Sequence, residues 1–260
     1  MSYLEIYFSG LLLVVIAATL LWIVSVFIKN ASIVDPFWGL GFLIAGVFYF
    51  YKTDGLEIRK LIVLTLLAIW GLRLSIYLGW RNLGKKEDFR YQQFRKDFGE
   101  KRYWWISFFQ VFLLQSVLLW LISAPLLSAQ FYSSGNDLNY FDYAAIIIWI
   151  IGFSFEAGAD FQLARFKFNP NNKGKVLNTG FWKYTRHPNY FGDATVWWAF
   201  GLFSVAAGDY LPLLSSLLMT LLIVKVSGVS MLEKTLKTTK PQYKDYVENT
   251  SAFFPWFPKK

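Results

Sequence analysis

The sequence predicts an all-α, polytopic integral membrane protein, a bundle of seven transmembrane helices, and three observations carry that prediction. Hydrophobic residues make up 55% of the 260-residue chain and charged residues only 17%, whereas a soluble domain carries about 25% charged residues to stay dispersed. The charges are gathered into short islands between long apolar runs. Lysine and arginine crowd alternate islands, the pattern of a chain threaded back and forth through a bilayer.

Backbone groups in hydrocarbon must be satisfied within their own helix, so each run of about 20 apolar residues reads as one span. The runs lie near 7–28, 37–51, 60–79, 106–129, 141–163, 190–207 and 210–232. The second is short, and the sixth is bounded by Pro188 and Gly208, which leaves tilt or re-entrance open for both. The first run, Ile6 to Ile28, lacks a basic leader and a small-residue cleavage site, so it is expected to be retained as a helix.

Orientation follows from the basic loops. Arg81, Lys85, Lys86, Arg90, Arg95, Lys96, Lys101 and Arg102 follow the third run. Arg165, Lys167, Lys173, Lys175, Lys183 and Arg186 follow the fifth, and Lys234, Lys237, Lys240, Lys244, Lys259 and Lys260 follow the seventh. The loops at 130–140 and 207–210 contain none. This places the amino terminus outside and the carboxyl terminus in the cytoplasm. Lys52, Arg59 and Lys60, after the second run, break the pattern. One membrane domain spanning 1–260 is the economical reading.

Several chemistries are excluded. The chain has no cysteine and a single histidine, His187, so thiolate sites, multi-histidine metal centres and a cysteine nucleophile are out, and no metal is expected. No Gly-x-Gly-x-x-Gly or P-loop sequence appears. The net charge of +9 sits in the loops, so a membrane surface rather than nucleic acid is the expected partner.

The densest chemistry lies in Lys183-Tyr-Thr-Arg-His-Pro-Asn-Tyr-Phe-Gly-Asp193. Proline favours the first position of a helix, so a helix is predicted from Pro188, its positive end beside Arg186 and His187, a ready seat for an anion. Asn189 and Asp193 then share one face, and Tyr184 and Tyr190 offer flat surfaces and hydroxyls. An interfacial anchor explains Trp182 and Lys183 equally well, but not Asn189 and Asp193 entering an apolar helix. Within the fifth run Glu156 and Asp160 are four apart; intramembrane carboxylates usually face a ligand, although an ion pair with Arg73 or Arg165 also accounts for them. Asp35, before Pro36, suits either a helix cap or a catalytic acid. Glu87–Arg95 reads as an amphipathic surface helix or as a lid over a phosphorylated cofactor.

The 183–193 stretch resembles the carboxyl-terminal signature of the steroid 5-alpha-reductase superfamily. Asp35-Pro-Phe-Trp-Gly39, Glu87-Asp-Phe-Arg-Tyr91 and Thr250-Ser-Ala-Phe-Phe-Pro255 are similar to its bacterial branch, long described as a domain of unknown function. The Arg-His-Pro-x-Tyr core is shared with isoprenylcysteine and phospholipid methyltransferases. The resemblance implies a seven-helix reductase that uses NADPH to saturate a double bond conjugated to a ketone, in a lipophilic enone such as a 3-oxo-Δ4-steroid. It assigns the cofactor to the half about 141–260, to Asp160, Asn189 and Asp193 with Tyr184 and Arg186 near them; Arg186, Lys167 and either Arg90 or Arg95 would neutralise its phosphates, and His187 and Tyr190 complete the expected cofactor site. It also implies a carboxylate and tyrosine at the substrate carbonyl; Asp35 matches the carboxylate, Trp70 stands at the tyrosine's place, and Tyr77, one to two turns on, is the candidate tyrosine. Reduction builds negative charge on that oxygen, which an acid must hold or protonate. An S-adenosylmethionine-dependent methyltransferase and a non-enzymatic lipid binder are the competing readings.

Overall fold

With no water to bond to, a backbone in hydrocarbon folds into helices, and the computed structural model is helical throughout the residues it describes, 1–227 and 243–258, with no strand among them. Among the described residues, five helices are long and apolar enough to cross a membrane: Tyr3–Ile28, Ala31–Lys52, Glu57–Asn82, Glu100–Phe131 and Tyr140–Phe168. The protein is therefore a membrane protein. Pro188–Ala206 coincides with the sixth expected span but opens on Asn189 and Asp193, which lower its hydropathy. The seventh is a shorter apolar helix, Leu213–Lys225; the remainder of that span, with Lys234, Lys237 and Lys240, lies outside the described residues, as do Lys259 and Lys260.

The chain divides into two compact units, residues 1–138 with 207–209, and residues 139–206 with 210–260. The first contains α1 (Tyr3–Ile28), α2 (Val34–Lys52), α3 (Glu57–Asn82), α4 (Phe89–Phe98), α5 (Glu100–Ser107), α6 (Leu114–Ile122) and α7 (Ala124–Phe131). Helix α1 opens with a capping box in which Ser2 and Glu5 satisfy each other's backbone N–H. Leu4, Phe8, Leu12, Ile16 and Leu20 run down one exposed face of it, a stripe that only lipid accommodates at this length. Helices α2 and α3 meet backbone to backbone, since a Cβ on Gly39 would stand 2.2 Å from the Gly71 carbonyl oxygen. A π-helical turn, Phe108–Leu113, joins α5 to α6.

Of the three basic residues that broke the loop pattern, Lys52 is exposed, and burial accounts for the other two. Arg59 and Lys60 are almost fully buried. The Lys60 ammonium donates to the Thr53 carbonyl at 2.7 Å and sits 4.6 Å from the centre of the Phe50 ring. Lys60 thus closes the turn after α2 from inside the protein instead of facing bulk solvent.

The second unit contains α8 (Tyr140–Phe168), α9 (Pro188–Ala206), α10 (Leu213–Leu221) and α11 (Tyr243–Asn249). An Asn139–Asp142 capping box starts α8, and α9 begins at Pro188 as proline geometry dictates. Helices α8 and α9 also touch through glycine: a Cβ on Gly192 would fall 2.3 Å from the Glu156 nitrogen and 2.5 Å from the Gly152 oxygen. Small residues at such contacts let backbones approach and pack where no hydrophobic effect drives association. Gly192→Val is therefore expected to cost about 1–3 kcal/mol through overpacking, read as a lowered unfolding midpoint in detergent; an unchanged midpoint would show that the helices can part.

Candidate functional site

Each unit holds a buried polar cluster. In the first, the turn between α1 and α2 is laced to α4. Lys29 ends α1 in the left-handed region at φ 53°, and the Asn30 side chain accepts the Ser32 N–H at 2.9 Å. Asp88 caps α4 by accepting the Arg90 N–H at 3.0 Å, while its own N–H donates to Ser32 Oγ at 2.6 Å. Glu87 accepts the Ala31 N–H at 2.8 Å and a two-pronged grip from Arg95 at 2.9 and 3.1 Å, the planar fork that suits arginine to carboxylates.

Asp35, in the first turn of α2, lies at the centre of this lacing. Its carboxylate accepts from the Tyr91 hydroxyl at 2.7 Å and from Arg90 at 3.1 Å, and Arg90 reaches Asp88 at 2.9 Å as well. The cap position of α2 is Ile33, so Asp35 is an ion-paired carboxylate and not a helix cap. Donor chemistry fixes the direction of the bonds beyond it. Trp38 Nε1 can only donate, so its 2.6 Å contact is to Gln115 Oε1. That turns Gln115 Nε2 toward the Tyr91 oxygen, a long bond of 3.4 Å. Tyr91 therefore directs its single proton at Asp35. Trp38 and Gln115 also border a narrow apolar crevice of about 10 Å³, walled by Val34, Phe37, Phe112 and Leu119. By itself the crevice is smaller than the roughly 300–1,000 Å³ of pockets that take drug-sized ligands.

Burial, and then the adjacent Asp35 charge, push the Tyr91 hydroxyl well above the usual tyrosine range, so it stays protonated at any physiological pH. For Asp88, burial acts to raise the carboxyl, but hydrogen bonds from the Arg90 side chain and backbone, with the Arg90 charge, outweigh it and hold Asp88 below its usual value. A depressed carboxylate contributes stability above its unfolded value of about 3.9 and loses it as pH falls through the lower folded value. Asp88→Asn should accordingly be less stable than the parent at pH 6, with the gap closing as pH drops below about 4. A gap that stays constant across that window would rule out the charge as its cause.

In the second unit Asp160 and Glu156 are nearly fully buried on α8, and Asn189 Nδ2, in the first turn of α9, donates to Asp160 Oδ1 at 3.1 Å. His187 is buried against α9's start, its ring stacked on Tyr190 with centroids 5.7 Å apart. The turn before α9 is strapped by the tail. Arg186 Nη1 donates to the carbonyls of Val247 and Thr250 at 2.9 and 2.5 Å, its N–H to Ser251 at 2.9 Å, and Thr185 Oγ1 to Phe253 at 2.9 Å. Tyr246 donates to the Trp182 carbonyl. Asp193 is half-buried, while Tyr184 and Lys167 are exposed.

Both clusters fall inside one region of known similarity, because residues 21–250 match the family described as a protein of unknown function, DUF1295. The chain belongs to that family. It is 27% identical to an uncharacterized protein of Schizosaccharomyces pombe (strain 972 / ATCC 24843), over 95% of this chain and 78% of the relative. No solved structure matches.

Within this family member, the residues singled out from sequence sort differently from the expectation. The tyrosine bonded to Asp35 is Tyr91, on α4. Tyr77, on α3, has its ring against Trp80 at 6.2 Å and under the Arg73 guanidinium at 5.4 Å. Arg90 and Arg95, expected at cofactor phosphates, are engaged by Asp35, Asp88 and Glu87. Arg186, expected at the same phosphates, has Nη1 committed to tail carbonyls. Gln115 carried no sequence signal, since it is neither charged nor in a motif with Asp35, and Trp38, although it stands in the Asp35–Gly39 motif, had no role that its spacing suggested.

Proposed function

We propose that this protein is a membrane-embedded, NADPH-dependent reductase of the carbon–carbon double bond of a lipophilic enone such as a 3-oxo-Δ4-steroid. The observation that carries the reading is the Tyr91 hydroxyl, protonated, held at 2.7 Å by an ion-paired Asp35 in a network that borders an apolar crevice. The resemblance of 183–193 to the steroid 5-alpha-reductase superfamily supports it. It brings with it a seven-span bundle in the bacterial inner membrane with the carboxyl terminus cytoplasmic, for which the basic loops after α3 and α8 are the support.

The residues fit a dinucleotide in kind. The Asp160 carboxylate accepts and the Asn189 amide both accepts and donates, the repertoire that ribose hydroxyls and a carboxamide require. Lys167 and Lys183 are exposed cations for phosphates, and Tyr184 is an exposed ring. Asp160, Asn189 and Asp193 would hold the cofactor, with His187 and Tyr190 shaping its seat. When bound, the reduced nicotinamide supplies the hydride. Tyr91 turns its proton from Asp35 to the carbonyl oxygen and gives it up as negative charge gathers there. Asp35, itself anchored by Arg90, positions the phenol and holds its proton until then, and Gln115 donates to the phenol oxygen. The acid on this reading is the tyrosine, with the aspartate as its holder.

Mass spectrometry of ligands released from the purified protein tests the assignment. NADP(H) is the expected species. Recovery of S-adenosylhomocysteine would replace the reading with a methyltransferase acting on a lipid or prenylated thiol, and recovery of lipid alone with a non-enzymatic binder.

A further inference from the structure

The strap formed by residues 243–258 is pinned along its length yet presents three large aromatic side chains outward. Trp256 N–H donates to the Tyr184 carbonyl at 2.9 Å, the reverse of the bond from Arg186 N–H to Ser251 at 2.9 Å. Phe253 lies against Phe191 with centroids 6.0 Å apart. Phe254, Trp256 and Phe257 are nevertheless 70%, 73% and 76% exposed. Tyr184 extends the patch, 6.0 Å from Phe257. A segment held this firmly does not expose three neighbouring aromatics for want of a fixed conformation.

The depth of the strap indicates what covers them. Helix α8 has 29 residues, about 43 Å at 1.5 Å per residue, against about 30 Å of hydrocarbon. The surplus of about 13 Å belongs at its carboxyl end, which carries Gln162, Arg165 and Lys167 after an apolar stretch. Ala159 then falls near the hydrocarbon edge. The Trp182 indole donates to the Ala159 carbonyl at 3.1 Å, which sets the 180–184 turn, and the strap bonded to it, at that same level. Tryptophan and other aromatics concentrate there because an apolar body meets a wet rim. Lys173, Lys175, Lys183 and Lys244 are exposed around this end, outnumbering the exposed Asp245 and Glu248.

We propose that Phe254, Trp256 and Phe257 form a membrane-interface anchor, seated in the headgroup–acyl boundary of an anionic leaflet and fastening the turn before α9 to it. The inference stands whatever the Asp160–Asn189 pair binds. The chain has no cysteine, so a single introduced thiol labels cleanly. Full-length Trp256→Cys and, as the control on exposed α11, Glu248→Cys are labelled with the fluorophore NBD and placed in nanodiscs of phosphatidylcholine and phosphatidylglycerol. The label at 256 should emit to the blue of that at 248 and be quenched at least twofold more by lipid carrying a nitroxide at acyl carbon 5. Equal exposure to water at both sites would overturn the proposal. So would a label at 256 shielded from aqueous iodide but untouched by nitroxide lipid, which would mean a protein partner or a second copy covers the patch. Should Trp256→Cys not fold, Phe257→Cys reads the same surface.

Discussion

Replacing Tyr91 with phenylalanine should lower enone turnover by about 10²–10⁴-fold, the range over which a positioned acid contributes, while NADP(H) still co-purifies. Phenylalanine keeps the ring beside Phe94, 6.4 Å away, and leaves Asp35 paired with Arg90, so the loss reports the hydroxyl rather than a collapsed site. Tyr77→Phe, made in parallel, should retain turnover, because Tyr77 is not the tyrosine bonded to Asp35. Normal activity in Tyr91→Phe together with an inactive Tyr77→Phe would reverse the assignment.

Asp35→Asn is the second substitution with a large expected effect, and the reason is geometric. The aspartate presents two acceptor oxygens, one to Tyr91 and one to Arg90. An asparagine has one oxygen and an NH₂ group, so whichever way it turns, one donor faces another donor. The buried clash should cost about 1–3 kcal/mol in stability and bring turnover below detection, again with cofactor retained. Asp35→Glu, which keeps both acceptors, should recover part of the activity. Full turnover in Asp35→Asn would exclude an ion-paired carboxylate from the reaction.

Local chemistry made some of this legible in the sequence and left other parts hidden. Proline at 188 announced a helix start because its fixed φ and missing N–H act on the residue itself. The apolar runs announced membrane helices, although Asn189 and Asp193 leave α9 too polar to qualify by hydropathy, and Leu213–Lys225 too short. Tyr91 was missed as the partner of Asp35 because 56 positions separate them, and helical spacing relates only residues three or four apart. Arg186 looked like a phosphate ligand because its charge is visible in the sequence while its partners, the carbonyls of Val247 and Thr250, belong to the backbone that every residue carries. Arg90 and Arg95 likewise show their charge in the sequence but not their full set of partners. Asp88 stands two positions from Arg90 and Glu87 eight from Arg95, but only the fold brings Asp35 and Ala31 into the same cluster.

The glycine contact between α8 and α9 bears on how a ligand would be received. With Gly152 and Gly192 touching main chain to main chain, that contact has no long side chain to yield by changing rotamer. The Asp160–Asn189 bond bridges the same two helices, so its donor and acceptor are held at a fixed spacing before anything arrives. Recognition there is a matter of fitting a finished seat. Association should then follow a single exponential whose rate rises linearly with ligand concentration, with no slower isomerisation behind it.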